Sequence, residues 1–166
     1  MELKREQDEE VNVYLAHLLL LLADPLYQEW VSSYVSKHDT SVYQKGCELS
    51  DRVRKYFTYK LNADYLLTSL GIFQNLGKPH GAFRRFYEQE PKIYIGRGKA
   101  YYGMAADYNH QIYRRRTTLE TVFEKLSFSF EEYVRILSYM RSAYLDFVQS
   151  IPDDDFTRFI QQLNSP

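Results

Sequence analysis

Apolar side chains recur every three or four residues along most of this chain, and this spacing is the feature that most restricts its fold. In residues 9–23 the repeating positions are Val11, Tyr14, Leu15, Leu18 and Leu22. Such spacing places side chains on one face of a helix. Polar–apolar alternation, which would indicate a strand, is confined to residues 92–96. The sequence therefore predicts an all-α protein, a compact bundle or orthogonal array of about six helices in one domain covering residues 1–166.

Capping residues predict where several helices begin. Asp24 followed by Pro25 is typical of a helix start, because the Asp side chain accepts from free backbone N–H groups and Pro suits the first helical position. The last helix is predicted to begin near Pro152. A longer apolar stripe covers residues 49–70, and we expect it to be divided or kinked at Gly46 or at Ser50 and Asp51.

The middle of the chain differs from its flanks in flexibility and in charge. Six of the seven glycines fall within residues 71–103. Residues 74–116 contain nine Lys/Arg and three Asp/Glu, a balance of +6, whereas the segments before and after them balance at −3 and −4. We therefore predict an irregular Gly/Arg/Tyr-rich connection over residues 74–98 and expect function to lie there, because loops on a rigid scaffold often carry function.

The clearest helical stripe covers residues 101–126 and has one polar position, Arg115, where an apolar residue would continue the spacing. A charge in an apolar stripe is expected to be paired, at an interface or in contact with a ligand. Asp64 is the first candidate partner of Arg115 in a buried charge pair. Lys60 lies four residues before Asp64, so these two are also expected to pair with each other or across to another helix.

The basic centre contains the candidate binding residues. The segment Gly96, Arg97, Gly98 and Lys99 directly precedes the predicted helix at residues 101–126, where free N–H groups would attract an anion such as a nucleotide phosphate. The alternative is a basic turn that needs glycine for its dihedral angles. Further cations that we expect on the same surface are Arg84, Arg85 and Arg115.

Arginines interleaved with tyrosines also suit nucleic acid, through phosphate contacts and base stacking. The isoelectric point of about 6.4 argues against a dedicated nucleic-acid binder. These arginines would otherwise meet the acidic flanking helices of the same or another subunit.

Catalytic and metal-binding patterns are weak in this sequence. Asp107 and His110 have the spacing of one carboxylate–histidine pair, but a di-iron bundle needs a second such pair. Cys47 is the single cysteine, and no general base can be placed beside it from the sequence. We therefore predict no metal and no cofactor, and an enzyme with an inter-helix pocket stays a third alternative.

The favoured function is a non-enzymatic binding or adaptor protein that associates with itself or with an acidic partner through the Arg/Tyr-rich centre. The apolar run at residues 11–23 is too short for a membrane span, and acidic residues precede it, unlike in a signal peptide. A single cysteine fits a reducing compartment. The expected location is therefore cytoplasmic, with no membrane partner.

Overall fold

The structure is a computed structural model that describes residues 9–36, 38–48, 50–73 and 91–150. The described residues form α-helices and no strand, which confirms the predicted all-α fold. The helices are α1 (Glu9–Leu22), α2 (Pro25–Tyr34), α3 (Asp39–Glu48), α4 (Arg52–Thr68), α5 (Pro91–Tyr113), α6 (Thr118–Phe128) and α7 (Phe130–Ser150). A π-helical turn, Ser69–Phe73, continues α4. Arg84, Arg85 and the predicted helix from Pro152 lie outside the described residues.

The predicted cap at Asp24 forms, and the predicted division at Asp51 is also a helix cap. The Asp24 side chain accepts a hydrogen bond from the Leu26 backbone N–H at 2.9 Å, at the start of α2. Asp51 accepts from the Val53 backbone N–H at 2.9 Å and starts α4. The chain is therefore divided beside Asp51, whereas Gly46 lies within α3. None of the helices in the described part of the chain is long and apolar enough to cross a bilayer.

Two predicted boundaries in the second half of the chain are wrong. Helix α5 begins at Pro91, so residues 91–98 are helical and not irregular or extended. The stripe at residues 101–126 is not one helix, because the chain leaves α5 after Tyr113 and starts α6 at Thr118. The apolar spacing continues across this break because the residues on both sides of it face the same core.

Helices α4 and α5 form the most extensive helix contact, and they run antiparallel. The Tyr59 ring of α4 stacks on the Tyr108 ring of α5, with centroids 5.8 Å apart. Closer to the start of α4, the Tyr56 side chain hydrogen-bonds the Asn109 side chain. Helix α6 then returns along α5, and α1 packs against α6. The fully buried side chains that join these helices include Val11, Leu67, Tyr102, Phe123 and Leu126.

Helix α7 packs on the π-helical turn that ends α4. A Cβ on the buried Gly71 would lie 2.7 Å from the Leu137 Cβ, so this glycine permits the close approach. Arg141 of α7 donates a hydrogen bond to the Ile72 carbonyl at 3.1 Å. This bond is a second contact between α7 and the π-helical turn.

Candidate functional site

The predicted anion-binding segment Gly96–Lys99 lies inside α5, from its sixth to its ninth residue. Only the first four N–H groups of a helix lack an intrahelical acceptor, so the N–H groups of this segment are available to no anion. The predicted position of the segment at a helix N-terminus is therefore wrong. The sequence predicts a helix start after these glycines because the apolar stripe begins at Tyr101, yet α5 contains both Gly96 and Gly98.

Gly98 has a packing role in α5. It is buried, and a Cβ at this position would overlap the ring of Phe130 at the start of α7. A Cβ on Gly96, in contrast, would meet open space. The Arg97 guanidinium lies over the Tyr94 ring, 5.5 Å from its centroid. Gly98 therefore reflects the close approach of two helices, which sequence alone does not distinguish from a flexible loop.

Arg115 lies in the exposed turn between α5 and α6 and not in an apolar stripe. The preceding Arg114 adopts a left-handed backbone conformation with φ of 52°, which ends α5. Thr117 then caps α6, because its hydroxyl accepts from the Glu120 backbone N–H at 3.0 Å. The predicted buried pair of Asp64 with Arg115 is therefore wrong.

Asp64 of α4 is buried, with 2% of its surface exposed, and is held by three other donors. Lys60 donates to Oδ2 at 2.6 Å, which confirms the pairing predicted from their spacing. The hydroxyls of Tyr14 in α1 and Tyr102 in α5 each donate to Oδ1 at 2.6 Å. Three elements of the fold therefore meet at one carboxylate, which we call the Asp64 cluster (Lys60, Asp64, Tyr14 and Tyr102).

The carboxylate charge of the Asp64 cluster is buried, and the other three residues of the cluster compensate it. Burial, followed by the nearby Asp64 charge, raises the pKa of both the Tyr14 and the Tyr102 hydroxyl well above the ordinary value of 10.0. Both hydroxyls therefore stay protonated and keep donating over a wide range of pH. Lys60 balances the charge of Asp64, and its Nζ lies 5.4 Å from the centroid of the Tyr14 ring.

The basic residues that were expected on one surface are instead separated along α5. Arg97 and Arg114 are seventeen residues apart on this helix and its end, a distance of about 26 Å at 1.5 Å per residue. A common surface of Arg97, Lys99 and Arg115 is therefore not formed. Because Arg84 and Arg85 lie outside the described residues, their part in the prediction stays open.

The antiparallel pairing of α4 and α5 brings different cations together. Lys55 lies over the Tyr108 ring, with Nζ 5.8 Å from the centroid. Arg52 is one turn before Lys55 and Tyr56, on the same side of α4, and the antiparallel pairing places this turn level with the end of α5. That end is Tyr113, which is 56% exposed, followed by the turn that contains Arg114 and Arg115.

We call this surface the basic end and define it as Arg52, Lys55, Tyr113, Arg114 and Arg115. Its three arginines are exposed and form no ion pair with any residue in the described ranges. Sequence reasoning missed Arg52 and Lys55 because they lie 60 residues from the turn. The signal that could have found them is the pair of apolar stripes at residues 49–70 and 101–113, which implies that the two helices pack together.

The cation next to the basic end has an ionic partner. Arg116 Nη2 lies 2.7 Å from Glu124 Oε2 on α6, at the surface. His110 approaches Glu120 of α6 at 3.1 Å. The Arg116–Glu124 pair neutralises charge beside the turn, which leaves the arginines of the basic end as the ones open to a partner.

A groove between α5 and α6 contains polar side chains of the kinds found in catalytic sites. Its lining includes Gly103, Asp107, Glu120 and Ser127. Because the helices are antiparallel, Ser127 lies opposite Gly103 and His110 opposite Glu120, about 10 Å apart along the helices. No serine–histidine pair is therefore built here. In the described ranges, no group of three His, Cys, Asp or Glu side chains is arranged to hold a metal ion.

Comparisons of this chain with known protein families, with characterised proteins and with solved structures find no match.

Proposed function

We propose that this protein is a non-enzymatic binding or adaptor protein whose basic end holds an acidic protein surface, on a second copy of the chain or on another protein. The observation that carries the proposal is that Arg52, Arg114 and Arg115 are exposed at the same end of the α4–α5 pair, without ionic partners in the described part of the chain. Like charges held close together repel each other, and an acidic partner relieves that repulsion.

The composition of the basic end supports a protein partner. Tyr113 adds an exposed aromatic ring with a polar tip beside the guanidinium groups. Tyrosine and arginine are enriched at protein interfaces, where an aromatic ring supplies apolar contact area and a guanidinium binds carboxylates through two parallel hydrogen bonds.

The proposal includes a cytoplasmic location. Cys47 is free and exposed, a state that a reducing compartment preserves.

The test compares the wild-type protein with a charge-reversed variant, Arg52→Glu with Arg115→Glu. Association is measured by sedimentation velocity at low and at high salt, and by fluorescence anisotropy with labelled polyglutamate as the acidic probe. We expect the wild type to bind the probe, or itself, in a salt-sensitive manner, because exposed charges are screened. The variant is expected to lose about tenfold or more in affinity.

The matched control is Lys92→Glu with Arg135→Glu. Both residues are exposed and lie away from the basic end, one at the start of α5 and one on α7. This double variant has the same net charge as the first, so it should keep the binding of the wild type. An equal loss of affinity in both variants would mean that only the net charge of the protein matters for binding. Unchanged affinity in both variants would contradict the proposed surface.

A further inference from the structure

A small cavity lies between α1, α2 and α4, directly beside the buried Asp64. Its volume is about 50 Å³. Most of its wall is apolar, and the residues with polar groups that line it are Tyr27, Gln28, Asp64, Tyr65 and Thr68. The apolar side chains that line it include Leu18, Leu22, Val31 and Leu61.

Tyr27 supplies this wall with a hydroxyl that can form a hydrogen bond with a ligand. The residue is 8% exposed, and its hydroxyl takes part in none of the hydrogen bonds among the described residues. Burial, and then the charge of Asp64, raises its pKa, so the hydroxyl stays protonated. Tyr27 and Asp64 line the same cavity. A ligand or water in the cavity that bonds to this hydroxyl would add a hydrogen bond that the described residues do not supply.

Asp64 retains one position for a further donor. A carboxylate has about four acceptor positions. Oδ1 accepts from Tyr14 and Tyr102, and Oδ2 accepts from Lys60. The remaining position is on Oδ2. No direct hydrogen bond joins Tyr27 to Asp64, so a hydroxyl between them can accept from one and donate to the other.

We propose that this cavity is a binding site for a small neutral alcohol, whose hydroxyl bridges Tyr27 and Asp64 and whose hydrocarbon part contacts the surrounding leucine and valine side chains. The volume accommodates about three to five water-sized groups, since one such group needs roughly 10–15 Å³ on this scale. The ligand is neutral because Lys60 already balances Asp64, and a second cation would be buried without a counter-charge.

Three probes of matched size test this chemistry in the full chain: 2-propanol, acetone and isopropylammonium. Acetone accepts but does not donate hydrogen bonds, and isopropylammonium carries a charge. Binding is followed through the methyl NMR signals of Leu18, Leu61 and Val31. We expect saturable shifts with 2-propanol, and affinities at least about tenfold lower for acetone and for isopropylammonium.

The variant Tyr27→Phe removes only the hydroxyl and should weaken 2-propanol binding by about tenfold. Tyr113→Phe, at the distant basic end, should leave it unchanged. If Tyr27→Phe does not fold, Val31→Leu narrows the cavity by one methylene group and should abolish the shifts. Shifts that do not saturate, or acetone bound as tightly as 2-propanol, would overturn the proposal and leave water as the occupant.

Discussion

The same pair of helices, α4 and α5, holds charge in two opposite ways. Along their length, the Asp64 cluster buries a carboxylate and satisfies it with Lys60 and two tyrosine hydroxyls. At their end, the basic end exposes its arginines to solvent without ionic partners among the described residues. The difference shows that burial requires compensation within the chain, because a lone buried charge is costly, whereas solvent tolerates charge that is free for a partner.

The largest effect should come from removing the buried carboxylate. Asp64→Ala leaves the Lys60 ammonium and two tyrosine hydroxyls without their acceptor. We expect the free energy of unfolding, measured with urea, to fall by about 3–5 kcal/mol. Its surface counterpart, Glu124→Ala, breaks the exposed pair with Arg116 and should cost about 0–1 kcal/mol.

Part of this loss should be recoverable. Adding Lys60→Met to Asp64→Ala removes the unpaired ammonium, so the double variant should be more stable than Asp64→Ala alone. If Asp64→Ala and Glu124→Ala lowered the free energy of unfolding equally, the buried ion pair would contribute no more to stability than the exposed one.

Alkaline pH should act next most strongly, and through the same interior cluster. In the folded protein the pKa values of Tyr14 and Tyr102 are raised above 10.0 by burial and by Asp64. Below pH 10.0 these tyrosines are protonated in both the folded and the unfolded protein, so their hydrogen bonds contribute fully to the stability of the folded state. As pH rises further, tyrosines of the unfolded chain lose protons first, so stability falls by about 1.4 kcal/mol per pH unit for each tyrosine.

Urea unfolding at several alkaline pH values measures this slope. The variant Tyr14→Phe should be less stable than the wild type near neutral pH. Its stability should nevertheless fall less steeply with pH, by the contribution of one tyrosine, about 1.4 kcal/mol per pH unit. A slope that is the same in the variant and in the wild type would mean that Tyr14 ionises equally in both states.

The smallest effect should arise at the basic end. Arg114 is exposed and has φ of 52°, a conformation that costs a residue with a Cβ about 1 kcal/mol. Arg114→Gly should therefore raise the free energy of unfolding by about 0.5–1 kcal/mol. Arg114→Ala removes the same charge without relieving the strain and should change stability by less than about 0.5 kcal/mol. The same change in the free energy of unfolding for Arg114→Gly and Arg114→Ala would mean that removal of the charge, and not relief of strain, causes the change.

Much of the helical architecture was predictable because it depends on neighbours in sequence. Apolar spacing predicted α1, and Asp24 and Asp51 cap the helices that follow them. The spacing of Lys60 and Asp64 predicted an ion pair that spans one helical turn. Each of these features involves residues no more than about four positions apart.

The errors arose where one residue type serves different purposes. Gly98 was interpreted as part of a loop, yet its missing side chain makes room for Phe130 of α7. Arg115 was interpreted as a vacancy in a continuous stripe, yet the spacing passes through a turn that Arg114 makes possible. Neither alternative can be chosen without knowing which helices touch, because the same letters fit both.

The sequence alone determined the helical class, several helix starts and the Lys60–Asp64 pair, since local hydrogen bonds and side-chain spacing govern all three. Tertiary packing decided that Tyr14 and Tyr102, 50 and 38 residues from Asp64, bond to its carboxylate. It also decided that Arg52 and Arg115 lie at the same end of the antiparallel α4–α5 pair. The physical reason is that contacts between distant residues depend on how whole helix faces fit together, which no short run of residues specifies.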